Sequence, residues 1–330
     1  MSTLVWPAIS AEELAKEEQS STKRELAWLL ASLQDTLQSL KAGLEECAEL
    51  LTPKEPGSTL VLSSLKSESL KGFVTRVGTR IVKGDIKLRL ASLPVPRGQN
   101  SYKVSISTLP TASSIAIEQL TTTRTLINGA LDIIDATRWT GDATNADFIS
   151  GQLQLLHENV LDAKAALKGG ADAQKPWTED PLPSDAFKPP LADNISFHLS
   201  VSEAAIVLHI RTLVGVNVPS DTHTPQSPGP ASTGPAQHII QGPHSYTGFS
   251  IRDRLTAALG GGRQNIHDEA HEVFSYRGQE VRVRDKIRVE SQDPSLLSAF
   301  AKLGALERIV ALWRRGLDVV MGRDLEVDDT

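Results

Sequence analysis

The stretch ELAWLLASLQDTLQSLKAGLEECAELL, Glu25 to Leu51, decides the fold. Its apolar positions are Leu26, Leu30, Leu33, Leu37, Leu40, Leu44, Cys47 and Leu51. The steps alternate four and three, the a/d seam of a coiled-coil or bundle helix. Pro53 stops the run, because proline removes a helical N–H donor. The polar residues before Leu26 place the helix start near residue 11.

Three further seams follow. The second is Ala116, Leu120, Thr123, Ile127, Ala130 and Ile134. The third is Ile149, Leu153, Leu156, Val160, Ala163 and Leu167, closed by Gly169-Gly170, a C-terminal signal. The fourth is Ala299, Leu303, Leu306, Val310, Trp313, Leu317 and Val320. Asp293-Pro294 opens it: aspartate caps and proline suits the first helical position. The short link from Asp135 to Thr144 makes helices two and three a hairpin. Helices one and four both need partners, and a four-helix bundle closed by the two ends of the chain satisfies every seam. The alternative is that helix one zips to a second copy of itself.

Between the helices the period changes to two. Thr59–Leu65, Leu70–Val77 and Arg80–Leu90 read as strands, with Ser101–Ser107 a fourth. NISFHLSVSEAAIVLHIRTL, Asn194 to Leu213, reads as a hairpin turning at Glu203-Ala204, which sets His198 opposite His209 on a polar face. Two histidines among serines fall short of a zinc ligand set, so they read as solvated. In a last segment, Val273 to Glu290, Val281, Val283, Ile287 and Val289 alternate with Arg282, Arg284, Lys286 and Arg288. The four cations read as a docking surface for an acidic partner or lipid headgroups, or as an edge strand guarded by charge. Asp285 falls on the apolar side and points to a bulge.

The expected class is α+β: an antiparallel four-helix bundle domain (11–52, 112–170, 293–322) and an antiparallel β-sheet domain (58–110, 191–214, 271–291), elongated and built from discontinuous segments. Residues 215–270, rich in Pro, Gly, Ser, Thr and His, read as a largely disordered insert. Within it, Ser250–Leu259 reads as a short helix, and Ser220, Thr224 and Ser227 as accessible phosphorylation candidates.

The 330 residues carry a net charge of −6 and one cysteine. No global field draws nucleic acid or anionic lipid, there is no aromatic interleaving for base stacking, and no internal disulfide can form. The first residues lack the basic and apolar regions of a secretory signal, and no apolar run could span a membrane. A soluble intracellular protein is expected, and the sequon at Asn194-Ile195-Ser196 is read as chance.

One run, NIHDEAHEVF (Asn265 to Phe274), carries the letters of a helicase ATPase box and a His267/His271 pair at zinc spacing. No phosphate-cradling G-x-x-x-x-G-K-[ST] accompanies it. Asp268 stands where a zincin needs glutamate, and no third ligand is indicated. The residues offer no assembled active site and no cofactor site, so a binding role is expected.

The chain resembles Rogdi, the leucine-zipper-containing family, whose fungal members are the second subunit of the RAVE complex. The resemblance runs collinearly through ELAWLLASLQDTLQSLKAGLEEC (Glu25–Cys47), LKGFVTRVGTRIVKGDIKLRL (Leu70–Leu90), LPSDAFKPPLADNISFHLSVSEAAIVLHIRTL (Leu182–Leu213) and FSYRGQEVRVRDKIRVE (Phe274–Glu290). The insert, 215 to about 268, is the departure. The resemblance implies a helical domain joined to a β domain, no catalysis, and a role in reassembling the peripheral and membrane sectors of the V-type proton ATPase. It implies as partners a large propeller-bearing subunit, the Skp adaptor and peripheral-sector subunits. It also implies a cytoplasmic protein recruited peripherally to vacuolar or endosomal membranes.

Overall fold

The computed structural model describes residues 9–65, 69–95, 97–109, 111–140, 142–169, 176–216 and 267–323. The expected helix at Ser250–Leu259, the phosphorylation candidates and most of the insert lie outside the described residues.

Helix α1 spans Ala11–Leu50. Ser10 starts it with a capping box: its hydroxyl accepts from the Glu13 N–H at 3.3 Å, and the Glu13 carboxylate accepts from the Ser10 N–H at 3.2 Å. Leu30, Leu33, Leu37, Leu40, Leu44, Cys47 and Leu51 are buried, as their spacing requires, and Leu26 is half-buried. The seam is filled within one chain, so it has no face left to zip to a second copy. The preceding turns, Ala11 to Glu25, are exposed.

Helices α2 (Glu118–Asp135), α3 (Ala146–Lys168) and α4 (Pro294–Val320) carry the other seams. Asn145 caps α3 through the Phe148 N–H at 3.0 Å, and Asp293 caps α4 through the Ser295 N–H at 2.9 Å. Leu303, Leu306, Val310 and Leu317 are buried, while Trp313 and Val320 are half-buried. Ala116 departs from expectation. It belongs to a strand and is exposed, because the backbone at Ile115-Ala116 pairs with Ile81 and Arg80 before the helix begins.

Helix α1 packs against α2 and α4, and α3 against α2 and α4. Ion pairs join the neighbours at their margins: Lys41–Asp135 at 2.5 Å, Lys164–Glu307 at 2.5 Å, and Lys302–Glu46. Gly43 lets α1 and α4 close up, since a Cβ there would meet Leu306 Cδ2 at 2.7 Å.

The first sheet holds six strands, β1 (Ser58–Ser63), β2 (Leu70–Val77), β3 (Arg80–Leu88), β4 (Tyr102–Ile106), β5 (Ile115–Ala116) and β6 (Phe187–Lys188). They run in the order β1-β2-β3-β4-β6, with β5 on β3. Two of them, β5 and β6, have two residues each and carry no period-two signal. The second sheet has the order β7-β8-β10-β9 from β7 (Ile195–Ser202), β8 (Ala205–Gly215), β9 (Val273–Tyr276) and β10 (Gln279–Gln292). Every pairing is antiparallel. The chain is therefore mixed, with segregated helices and antiparallel sheets, as the α+β expectation held.

One apolar core runs unbroken from the helix seams through both sheets. The β7–β8 hairpin is docked into it by its tip. Glu203 and Ala204 take positive φ values of 49° and 57°, the geometry of a two-residue hairpin turn. Their N–H groups donate to the Lys168 and Leu167 carbonyls at 2.7 and 2.9 Å, completing the C-terminal end of α3. Gly169 makes this approach possible, because a Cβ there would meet the Val201 carbonyl oxygen at 2.3 Å. The Gln119 side chain, on α2, donates to the Val201 carbonyl and accepts from its N–H.

Candidate interaction surface on the second sheet

The outer face of the second sheet brings together the histidine pair and two of the four cations that the sequence placed on separate segments. His198 does stand opposite His209, with ring centroids 6.4 Å apart. The neighbouring register pairs are Ser196–Arg211 on β7–β8, and Lys286–Arg211 and Arg288–His209 on β10–β8. This face is not the solvated one expected. Ser196, Ser200 and Arg211 are buried and both histidines are half-buried. Burial lowers the pKa of His209 to about 4, helped by the charges of Arg211, His198, Lys286 and Arg288. Burial also lowers that of His198, with Arg211 adding to it and Asp180 opposing. Both rings are neutral at pH 7, which suits a face already crowded with cations.

The four cations do not form one row. The register between β10 and β8 shifts between Val283 and Asp285, so Arg284 is the extra residue of a bulge. A one-residue slip transfers everything beyond it to the other face. Lys286 and Arg288 therefore lie with Arg211 and His209, whereas Arg282 pairs with Val214 on the opposite face. Asp285 on the apolar side marks the bulge in the sequence, whereas the change of face beyond it follows from the register with β8. Asp285 is held by the loop after β3: its carboxylate accepts from the Ser92 N–H at 3.0 Å, and its own N–H donates to Thr212 Oγ1 at 3.0 Å.

Beyond the bulge the outer face turns apolar. Val281, Val283 and Leu213 join Trp177, Tyr276 and Phe274 in a second, smaller cluster. Arg211 bridges the two halves. Its guanidinium carbon sits 4.8 Å from the Trp177 ring centroid, close enough for a cation–π contact.

The run that resembles a helicase box supplies the counter-charge. Arg211 donates from Nε and Nη2 to the Glu269 carboxylate at 2.6 and 2.8 Å, a bidentate pair. Lys286 Nζ reaches Glu269 at 2.7 Å and Asp268 at 2.9 Å. Burial raises the Glu269 pKa, but the hydrogen bonds from Arg211 and Lys286 outweigh it and the net shift is downward. The Lys286 hydrogen bond lowers Asp268 as well. The expected surface approach to β9 is thus a clasp on the polar face. His267 Nε2 lies 3.4 Å from the Arg284 carbonyl and His271 is exposed. No group of three or more metal-ligating side chains is gathered among the described residues.

These arrangements define a class: an α+β chain whose second sheet pairs Arg211 and Lys286 with Glu269 and Asp268. The model of the family described as Rogdi leucine zipper containing protein matches residues 25–318. The chain belongs to the Rogdi family. No curated protein matches it. No helix among the described residues is long and apolar enough to cross a membrane.

Proposed function

We propose that this chain is a non-catalytic subunit of a RAVE-type complex, promoting assembly of the V-type proton ATPase through protein–protein contacts. The observation that carries the reading is the family match over residues 25–318, joined to what that family implies. The fate of the one enzyme-like run supports it: Glu269 and Asp268, the acids of the helicase-like box, are tied to Arg211 and Lys286. The cyclic packing of α1, α2, α3 and α4 supports the further reading that the helices form a four-helix bundle, one that shares its core with the sheets. The partners are then a large propeller-bearing subunit, the Skp adaptor and peripheral-sector subunits of the pump. The protein works in the cytoplasm and is recruited peripherally to vacuolar or endosomal membranes.

The test is affinity purification of the full chain from its own cells, with the pump's two sectors driven apart. The expected result is co-purification of the propeller-bearing subunit and peripheral-sector subunits, together with slower organelle re-acidification when the chain is depleted. Normal re-acidification and no pump subunit in the purified material would overturn the reading.

A further inference from the structure

Helix α4 carries a second heptad seam on the side away from its buried one. Ala305, Ile309, Leu312, Gly316 and Val319 repeat the four-three alternation, and two heptads of it define a stripe along one face of the helix. This stripe is bare. Leu312 is 70% exposed, Val319 56% and Ile309 39%. Ala305 is exposed as well, and exposed Ala301 extends the stripe one turn toward the N-terminus. A Cβ built on Gly316 would meet nothing within 4 Å. Scattered single aliphatics on a surface carry no message, but an aligned run of them marks a contact.

The charges on α4 separate into two sets. Lys302 pairs with Glu46 of α1, and Glu307 with Lys164 of α3. Asp318 lies 3.3 Å from Ser150 Oγ and 3.6 Å from Arg323. Those residues flank the buried seam. Arg308 and Arg315 precede Ile309 and Gly316, are exposed, and have no ion pair among the described residues. They border the bare stripe as flanking charges border a coiled-coil seam.

We propose that this face of α4 is the docking site for one amphipathic helix of another protein. Its apolar side carries large aliphatic residues at four-three spacing, which enter over the small positions Ala305 and Gly316. Acidic residues on its flank pair with Arg308 and Arg315. The same charges argue against a second copy of this chain. Parallel self-pairing sets Arg308 against Trp313 and Arg315 against Val320, which offer no counter-charge, and antiparallel pairing about Leu312 brings Arg308 beside Arg315. The nearby acids that could relieve this, Glu307 and Asp318, are already engaged. The stripe from Ala301 to Val319 is about 27 Å long at ~1.5 Å per residue, enough for a five-turn partner helix. The inference does not rest on the pump-assembly reading and concerns a different surface.

The test places a photoreactive benzophenone side chain at position 312 of the full chain in its own cells. After irradiation the cross-linked peptide is sequenced, synthesised, and titrated against the unmodified full chain by fluorescence anisotropy. The expected adduct is a single foreign segment with apolar four-three spacing and acidic flanks. Leu312→Ser, and separately Arg308→Glu with Arg315→Glu, should each weaken its binding about tenfold, with the urea midpoint unchanged. Adducts only to this chain, to a second copy or to lipid would overturn the proposal. So would a segment without acidic flanks, a peptide whose affinity ignores both variants, or no adduct at all.

Discussion

Arg76 and Asp293 form a buried ion pair at 2.6 Å, with side chains 3% and 0% exposed, 217 residues apart in sequence. Asp293 is also the N-cap of α4, accepting from the Ser295 and Leu296 N–H groups. Arg76 stands near the end of β2 and its Nη1 donates to the Gly78 carbonyl. One carboxylate thus ties the first sheet to the start of the helix that lies against α1 and α3.

Asp293→Ala should be among the most damaging single changes. It strands a buried guanidinium and removes a helix cap, and losing one partner of a buried pair costs about 3–5 kcal/mol. Urea unfolding should show the midpoint fall by a corresponding amount. Arg76→Met combined with Asp293→Ser should recover part of the loss, because the buried charge goes and a capping hydroxyl returns. A double variant no better than Asp293→Ala would mean that neither the stranded charge nor the lost cap accounts for the damage.

The seam of α1 gives an internal contrast. Leu37 is 1% exposed in the common core, so Leu37→Asp buries an unpaired charge and should cost several kcal/mol. Leu14, on the exposed part of the same helix and 58% accessible, should tolerate aspartate within about 0.5 kcal/mol. Thermal melts of both variants decide it. Equal melting temperatures would mean that the seam is not what holds the helix.

Much of the helical part was legible because a four-three repeat names both the helix and its buried face. Leu30, Leu33, Leu37, Leu40 and Leu44 were readable in this way. The β7–β8 turn and the His198–His209 register were readable too, since a period of two leaves few ways to close a hairpin. What escaped was non-local. Strands of two residues, such as Phe187-Lys188, have no period and exist only because an edge of the first sheet is there to receive them. The cations misled for a related reason: alternation assigns faces correctly only up to the bulge at Arg284. The Arg211–Glu269 pair joins the hairpin to the residues before β9, and only the assembled sheet brings them together.

The outer face of the second sheet should make stability fall in mild acid. His209 is held neutral, with its pKa lowered to about 4 from 6.5. The unfolded chain therefore takes up the proton first as the pH drops through about 6.5. More protons are bound unfolded than folded, so stability falls until the folded ring protonates near pH 4. The full shift is an upper bound, since the ring is only half-buried and solvent screens part of it. Urea midpoints measured between pH 7 and pH 4 should slope downward, and His209→Asn should flatten the slope. An unchanged slope in His209→Asn would place the titration elsewhere.

Glu269 gives a prediction about chemistry as well as stability. Its carboxylate compensates Arg211 and Lys286, so Glu269→Gln leaves a buried guanidinium short of charge. A cost of about 1–3 kcal/mol is expected, below that of a fully enclosed pair because this one is partly open to water. As a depressed carboxylate it contributes stability above its unfolded pKa of 4.5, and that contribution is lost as pH falls through the lower folded value. ATP hydrolysis by the purified chain should be at background with or without the change. Hydrolysis that disappears in Glu269→Gln would make the clasp a catalytic group after all.

The divided cations sharpen the docking test. Arg288 pairs with Glu290 at 3.0 Å and Lys286 with Glu269 and Asp268, so these two present little net charge. Arg282 and Arg284 are exposed and have no ion pair among the described residues. If an acidic partner docks on β10, Arg282→Glu with Arg284→Glu should weaken its capture about fivefold and reduce the salt dependence of association. Arg288→Glu, on the other face and already compensated, should leave capture unchanged. The readout is partner recovery from full-length protein across a salt series. Equal loss from both sets would mean that a partner wraps both faces of the strand. No loss from either would mean that no acidic partner docks on β10, and β10 at Arg282 is no edge to guard, since it lies between β8 and β9.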